Sequence, residues 1–269
     1  MARAPACTPR WRGLVSLAKA AVNPAPQGNE AQLSVLVCGN GRMGALVAQL
    51  VEDAPDLALA GQVGIDDVAL LDAAAAPVAD VVIDFTHPAM LPHLAQQLRA
   101  HPAALVSGTT GLGAAEQALL DELAQRMPVC HAANYSLGVA ALRAVVAQAA
   151  RLLPGWDVEI VETHHNQKAD APSGTAKALV AAVDPAAERP LVYGREGFVG
   201  ARSPREIGVH AVRGGSVAGT HEVHFFGPDE ELVLTHRATS RAIFANGAVA
   251  VARRLAACAP GRHELDDLL

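Results

Sequence analysis

The segment Glu162-Thr163-His164-His165-Asn166-Gln167-Lys168 places two imidazoles and an ammonium close together, directly after a run, Asp157 to Glu162, that reads as a strand. An imidazole titrates near neutrality, and a lysine beside other cations gives up its proton more readily. His164 or Lys168 can therefore act as a general acid toward an atom next to one that receives hydride. A few residues on, Asp170-Ala171-Pro172-Ser173-Gly174-Thr175-Ala176 has the marks of a helix start. The residue before a proline is steered away from helix, and Ser173 is a natural N-cap. The N–H groups of Gly174 and Thr175 are then free, and Gly174 has no side chain to obstruct an anion. A cation cluster and a helix N-terminus are two positive features, and a small substrate with two carboxylates could bridge them.

Rival chemistries fit less well. Adjacent histidines point in different directions and make a poor chelating pair. Glu162 and His165 are spaced to converge only on a helix, and the segment reads as a strand end, so no metal site is expected. Ser173 as a nucleophile lacks a surrounding G-x-S-x-G elbow. Spacing alone leaves open a structural role for the histidines, with solvated or core-satisfied rings.

A second chemical feature lies near the other end. Leu33 to Val37 is an apolar run broken only by Ser34, followed by Gly39-Asn40-Gly41-Arg42-Met43-Gly44 and then by helical periodicity from Ala45 to Val51. G-x-G-x-x-G alone is a weak signal, but between a strand and a helix it opens a dinucleotide-binding βαβ unit. Glycine lets the backbone approach a pyrophosphate, and the helix start offers free N–H groups. The acid that usually ends the second strand is missing near Val63-Gly64-Ile65-Asp66-Asp67. Asp66 lies beyond the expected strand end, and Arg42 is the cation placed to meet a 2′-phosphate, so the cofactor is NADH or NADPH. Two further loops follow strand ends, Phe85-Thr86-His87-Pro88 and Gly108-Thr109-Thr110-Gly111. Their hydroxyls and glycines suit a nicotinamide and its ribose.

These features need elements to hold them. Strands are predicted at Leu33 to Val37, Leu57 to Val63, Asp80 to Phe85, Ala103 to Ser107 and Pro128 to Ala132. Helices alternate with them at 45–51, 68–75, 90–99 and 114–125. That alternation predicts an α/β fold with a Rossmann-type, doubly wound parallel sheet. After Asn134 the pattern changes: a long helix from Val139 to Leu153, the strand 157–162, a helix from Ser173 to Val183, then short runs at 207–212, 221–226 and 231–235. Short connections predict a second α+β domain with a mostly antiparallel sheet. The expected division is a disordered or extended tail over 1–31, a dinucleotide-binding domain over 32–134 completed by 238–269, and a substrate-binding and oligomerisation domain over 135–237.

Composition removes other classes. Hydrophobic residues at 51% in a chain of 269 support a buried core. A net charge of -6 with 3% aromatics leaves neither a broad basic surface nor stacking platforms for nucleic acid. No uninterrupted apolar run reaches membrane-spanning length. Cys7, Cys38, Cys130 and Cys258 are widely spaced and read as buried thiols of a reducing compartment. Residues 1–29 carry Arg3, Arg10, Arg12 and Lys19 but no acid, a composition shared by transit peptides and by Ala/Pro-rich tails.

From Leu33 to the C-terminus these segments, in this order, resemble the dihydrodipicolinate reductase family. Residues 162–176 match its signature E-x-H-H-x-x-K-x-D-x-P-S-G-T-A. Val82-Ile83-Asp84-Phe85-Thr86, Gly108 to Gly111, Ala132-Ala133-Asn134-Tyr135-Ser136 and Ser240 to Ala248 look like further family blocks. The resemblance implies that His164 is the acid/base histidine and Lys168 the proton donor. It implies that His165, Gly174 and Thr175 hold the substrate carboxylates. Gly39, Asn40, Gly41, Arg42, Met43, Gly44, Gly108, Thr109, Thr110, Ala132, Ala133, Asn134 and Tyr135 would hold the dinucleotide, with Phe85 and Thr86 beside them. The implied reaction reduces a cyclic hydroxylated tetrahydrodipicolinate, with loss of water, in lysine biosynthesis. The implied assembly is a cytoplasmic homotetramer joined through the sheet of the second domain. The chain departs from the family in its shorter glycine spacing, in Gly64 at the second strand end, and in Tyr135 where Phe is frequent. The rival classes are another two-domain dehydrogenase and a non-catalytic dinucleotide sensor. An acylating semialdehyde enzyme would need a nucleophilic cysteine, for which Cys130 is the one candidate near the site; a sensor would not need the cation cluster.

Overall fold

The structure is a computed structural model describing residues 32–72 and 76–268; the expected tail over 1–31 lies outside the described residues. Residues 32–269 form one compact unit built on two sheets. The first has six strands in the order β11-β5-β4-β3-β1-β2. They are β1 (Leu33–Cys38), β2 (Leu57–Val63), β3 (Val81–Asp84), β4 (Ala104–Ser107), β5 (Pro128–His131) and β11 (Gly261–Arg262), and every pairing is parallel. In β1, Val35, Leu36, Val37 and Cys38 are all fully buried. A continuous apolar run is what a strand needs when helices cover both faces. On one face α1 (Arg42–Glu52) and α7 (Ala242–Leu255) pack Val47, Val51, Ala248 and Val251 against the sheet. On the other, α3 (Leu91–Ala100) and α4 (Ala114–Ala124) bring Leu94, Leu98, Leu120 and Leu123; the short α2 (Ala69–Asp72) lies between β2 and β3 in the chain. Strand order reverses between β1 and β3, so their carboxyl ends open the crevice where open α/β sheets bind ligands.

The second sheet has the order β10-β9-β6-β8-β7. Its strands are β6 (Asp157–His164), β7 (Leu191–Val192), β8 (Ile207–Arg213), β9 (Thr220–Phe226) and β10 (Glu231–Arg237). β9 runs antiparallel to β6 and β10, while β8 runs parallel to β6 and β7, so most paired positions are antiparallel. The parallel partner is possible because α6 (Gly174–Val183) lies in the connection from β6 to β8. β6 extends two residues past the predicted Glu162. Thr163 pairs with Val212 and Thr220, and His164 with Arg213.

α5 (Leu137–Leu152) and α6 cover one face of this sheet, with Leu142, Val146 and Leu179 against Ile160, Val223 and Phe225. Burial along β6 alternates strictly, and its inward residues are Val158, Ile160, Glu162 and His164. The strand thus begins in the hydrophobic core and ends in a carboxylate and an imidazole on the same face. Among the described residues no helix lies over its opposite face, where Val212, Phe226 and Val233 are exposed. Among the described residues no helix is long and apolar enough to cross a membrane.

Ile160 is fully buried beneath the two helices. Ile160→Ala should lower the urea-derived unfolding free energy by about 2–5 kcal/mol. A change under about 0.5 kcal/mol would mean that this core does not anchor β6.

Candidate active site

After β6 the chain turns back along the β8–β9 loop: His165 N–H donates to Val217 O at 2.8 Å and Asn166 N–H to Gly215 O at 3.2 Å. This leaves His164 on the inner face of the strand and His165 and Lys168 beyond its end. His164 Nδ1 lies 2.5 Å from Glu162 Oε2, and the His221 ring meets His164 edge-on at 5.1 Å. Lys168 Nζ donates to Asp170 Oδ1 at 2.7 Å. Arg241 Nη2 donates to His165 Nε2 at 2.9 Å. Partial burial and then Arg241, with His164 and Lys168 adding less, hold the His165 imidazole below its ordinary value, which suits it as an acceptor.

α6 starts as expected. Ser173 caps it, its Oγ accepting from Ala176 N–H at 3.1 Å, and nothing stands within 4 Å of where a Gly174 side chain would begin. Asn134 Nδ2, from the segment between the sheets, donates to Thr175 Oγ1 at 3.1 Å. A cleft of about 490 Å3 unites these groups. His164, His165, Lys168, Gly174 and Thr175 line it from the second sheet, and Ala132, Ala133 and Asn134 from the end of the first. The residues expected to carry acid chemistry and carboxylate binding are therefore brought into one wall.

The remaining predicted residues gather at the carboxyl ends of β1, β3 and β4. Gly39 has φ +127°, which favours glycine, and a side chain there would begin 2.6 Å from Phe85 O. A Gly44 side chain would begin 1.9 Å from Gly39 O, so close packing of α1 on the turn explains it. Gly41 is explained by neither: its surroundings are open to 4 Å, and α1 begins there without a side-chain cap. Open space outside a bare helix start fits a bound pyrophosphate. Arg42 and Asn40 are exposed beside it, while Met43 is half-buried. Asn40 also accounts for the missing strand-end acid. Its amide donates to Asp67 Oδ2 at 3.1 Å and would lie 2.3 Å from a side chain at Gly64.

The two threonine loops are tied together by Asp84, a residue that motif reading quoted without giving it a role. It is buried, and it accepts from Thr86 Oγ1 at 2.5 Å, Ser107 Oγ at 2.8 Å and Thr109 Oγ1 at 2.9 Å. Burial outweighs these bonds and pushes the Asp84 carboxyl up. Thr110 is exposed at the rim. The Phe85 ring fills the space over Gly108, and Tyr135 meets Phe85 edge-on at 5.9 Å. Tyr135 is itself buried, its hydroxyl donating to Ser107 O and Cys130 O, so it supports Phe85 from below. Burial pushes the Cys130 thiol up to about 11, which removes it as a nucleophile near neutrality.

Sequence reasoning missed Arg213, His221 and Arg241 as neighbours of the cation segment. Arg213 and His221 are brought in by strand register, which no local signal announces. Arg241 opens the Ser240 to Ala248 block, and that block was the available signal.

The family described as dihydrodipicolinate reductase matches the chain twice, its N-terminus over residues 33–135 and its C-terminus over 138–269. Among curated relatives, a 4-hydroxy-tetrahydrodipicolinate reductase of Caldanaerobacter subterraneus subsp. tengcongensis is 38% identical over 238 residues, covering 86% of this chain and 95% of its own. One of Myxococcus xanthus is 42% identical over 255 residues, covering 85% and 94%. The dipicolinate-bound dihydrodipicolinate reductase from Paenisporosarcina sp. TG-14 shares the fold, with a TM-score of 0.73 at 22% identity over 89% of this chain and 100% of that one.

Two outcomes are expected from this geometry. Gly41→Ala should keep wild-type thermal stability but weaken NADH or NADPH binding at least about tenfold, or about 1.4 kcal/mol by fluorescence titration. Gly44→Ala should instead cost about 1–3 kcal/mol of stability through overpacking. Unchanged cofactor affinity in Gly41→Ala would remove the phosphate from that turn. Separately, burial, followed by the neighbouring His164, pushes the His221 imidazole down to about 4. Unfolded, it titrates near 6.5. Between those values the unfolded chain takes up a proton that the folded chain does not, so stability is full above about pH 6.5 and lost as pH falls toward 4. Urea titrations should show a flatter acid limb for His221→Gln than for wild type; superimposable limbs would contradict this.

Proposed function

The chain belongs to the dihydrodipicolinate reductase family, and on that premise we propose that it reduces 4-hydroxy-tetrahydrodipicolinate to tetrahydrodipicolinate, with NADH or NADPH, in the diaminopimelate route to lysine. The observation that carries this reading is the shared wall of the cleft, where His164, His165 and Lys168 face the same space as Gly174 and Thr175. A dinucleotide sensor has no use for that wall. When bound, the dinucleotide supplies hydride. His164 and Lys168 hold the proton that the reduction also consumes, at the edge of a site where charge is felt strongly. His165 and the α6 N–H groups at Gly174 and Thr175 take the carboxylates, and Lys168 gives them a charge to approach.

Gly39 to Gly44 would cradle the pyrophosphate, with Gly41 leaving the clearance. Phe85, Thr86, Gly108, Thr109 and Thr110 would border the nicotinamide and its ribose, and Ala132 to Tyr135 would carry the dinucleotide toward the acid wall. Arg42 is exposed and unpaired among the described residues, free to meet a 2′-phosphate. Residues 32–134 with 238–269 serve as the dinucleotide domain and 135–237 as the substrate domain. The helix-free face of the second sheet, with Val212, Phe226 and Val233 exposed, supports assembly through that sheet; the family reading makes that assembly a cytoplasmic homotetramer.

The test is a coupled assay with the synthase product, following nicotinamide absorbance with each cofactor in parallel. Folded wild-type protein inactive with both would sink the reading. Lys168→Ala and His164→Ala should each lower kcat by about 100-fold or more, as expected for a lost general acid. Their cofactor dissociation constants should stay within about twofold of wild type. A large loss of cofactor binding would contradict the assigned roles.

A further inference from the structure

Glu162 is fully buried at the inner end of β6, and nothing so far requires a carboxylate there. Oε2 lies 2.5 Å from His164 Nδ1 and accepts from Arg213 Nη1 at 2.8 Å. Oε1 accepts from Arg213 Nη2 at 2.8 Å and from Ser173 N–H at 3.0 Å. The four contacts use the carboxylate's acceptor capacity on both oxygens, and the guanidinium engages it as a two-pronged fork. We infer that Glu162 is a positioning residue for the reduction: one carboxylate fixes the tautomer of His164 and registers the anion-binding start of α6 against it.

The tautomer follows from donor counting. An ionised carboxylate only accepts, so the hydrogen on the short contact must come from His164 Nδ1. Although burial opposes the charge, Arg213, His164 and the Ser173 N–H outweigh it and hold the Glu162 carboxyl below its ordinary value. Neutral His164 therefore carries its proton on Nδ1 and presents Nε2 as the free basic atom. Room for that atom is kept by Gly219, where a side chain would begin 3.0 Å from Nε2 and φ is +153°. His221, edge-on to His164, is held in turn by Ser173 Oγ at 3.2 Å.

The register follows from Ser173. Its N–H ends on Glu162 while its Oγ caps Ala176, so the first turn of α6 is tied to the carboxylate that holds His164. A rigid ring with two carboxylates needs proton donor and anion site at a fixed separation, and small misplacements cost rate steeply. A carboxylate serving only to neutralise Arg213 would need neither the bond to His164 nor the one to Ser173.

This inference rests on the reductase reading, and the experiment separates the two. In wild type, 15N NMR of labelled histidine should show His164 as the Nδ1–H tautomer; an Nε2–H tautomer overturns the inference whatever the activity. Glu162→Gln should lose about 100-fold or more in kcat and raise KM for the dicarboxylate substrate. Its dissociation constant for NADH or NADPH should stay within about twofold of wild type. Folded Glu162→Gln with wild-type kcat, or with cofactor affinity falling in step with rate, also overturns it. If that variant does not fold, Glu162→Asp, which keeps the charge but shortens the reach, must show the same rate loss with cofactor binding retained. An inactive wild type with the expected tautomer would sink the reductase reading alone.

Discussion

A carboxylate removed from water must be met by donors, and the candidate site is arranged around two of them. Glu162 and Asp84 sit at or near the ends of central strands, one in each sheet, at 0% and 1% exposure. Their donors differ in kind. Arg213 brings a full positive charge to Glu162, while Asp84 receives the hydroxyls of Thr86, Ser107 and Thr109. Burial therefore loses at Glu162, which is held down, and wins at Asp84, which is pushed up. In both places the side chains that must be precise are those that satisfy the buried group. Positional order at His164 and Ser173, and at Thr86 and Thr109, comes from the same requirement.

The segment Asn134 to Ser136 joins the two halves. Asn134 Oδ1 accepts from Ser136 N–H at 2.8 Å while its amide reaches Thr175. Ser136 then caps α5 through Val139 N–H and lies 3.4 Å from His236 Nε2. Tyr135, between them, packs its carbonyl so tightly on α7 that a side chain at Gly247 would begin 1.7 Å away. Three consecutive residues thus fasten the first sheet, α7 and the wall of the cleft. That is the physical content of the Ala132 to Ser136 and Ser240 to Ala248 blocks.

What could be read in advance was local. The strand over Asp157 to Glu162, the Ser173 cap and the glycine turn between strand and helix are all visible in the chain. The fold class and the grouping of His164, His165, Lys168, Gly174 and Thr175 follow from such patterns. Arg213, Gly219 and His221 were not legible, because they reach the site through pairing of β6 with strands about 50 residues away, and register is a tertiary property. For the same reason β6 outran its predicted end: Thr163 and His164 are held in the sheet by their pairing with β8 and β9. The roles of Gly39, Gly41 and Gly44 also separated only in space, since identical residues answer to a backbone angle, an open approach and a close contact.

His164 and Lys168 are held by interactions of different strength, and in the proposed reaction that difference would set how far each can move. The His164 imidazole is bonded to a fully buried carboxylate that is itself clamped by Arg213, so leaving it would strand a charge out of water. Lys168 is bonded to Asp170, whose side chain is 59% exposed, and such a pair is worth under about 1 kcal/mol. An arriving carboxylate can take Lys168 from Asp170 at little cost, whereas it cannot reorient His164. Under the proposed reading the pair would offer one proton-bearing cation that can shift with the substrate and one imidazole fixed in place. A reaction that has to capture a dianion and then place a proton with precision needs one of each.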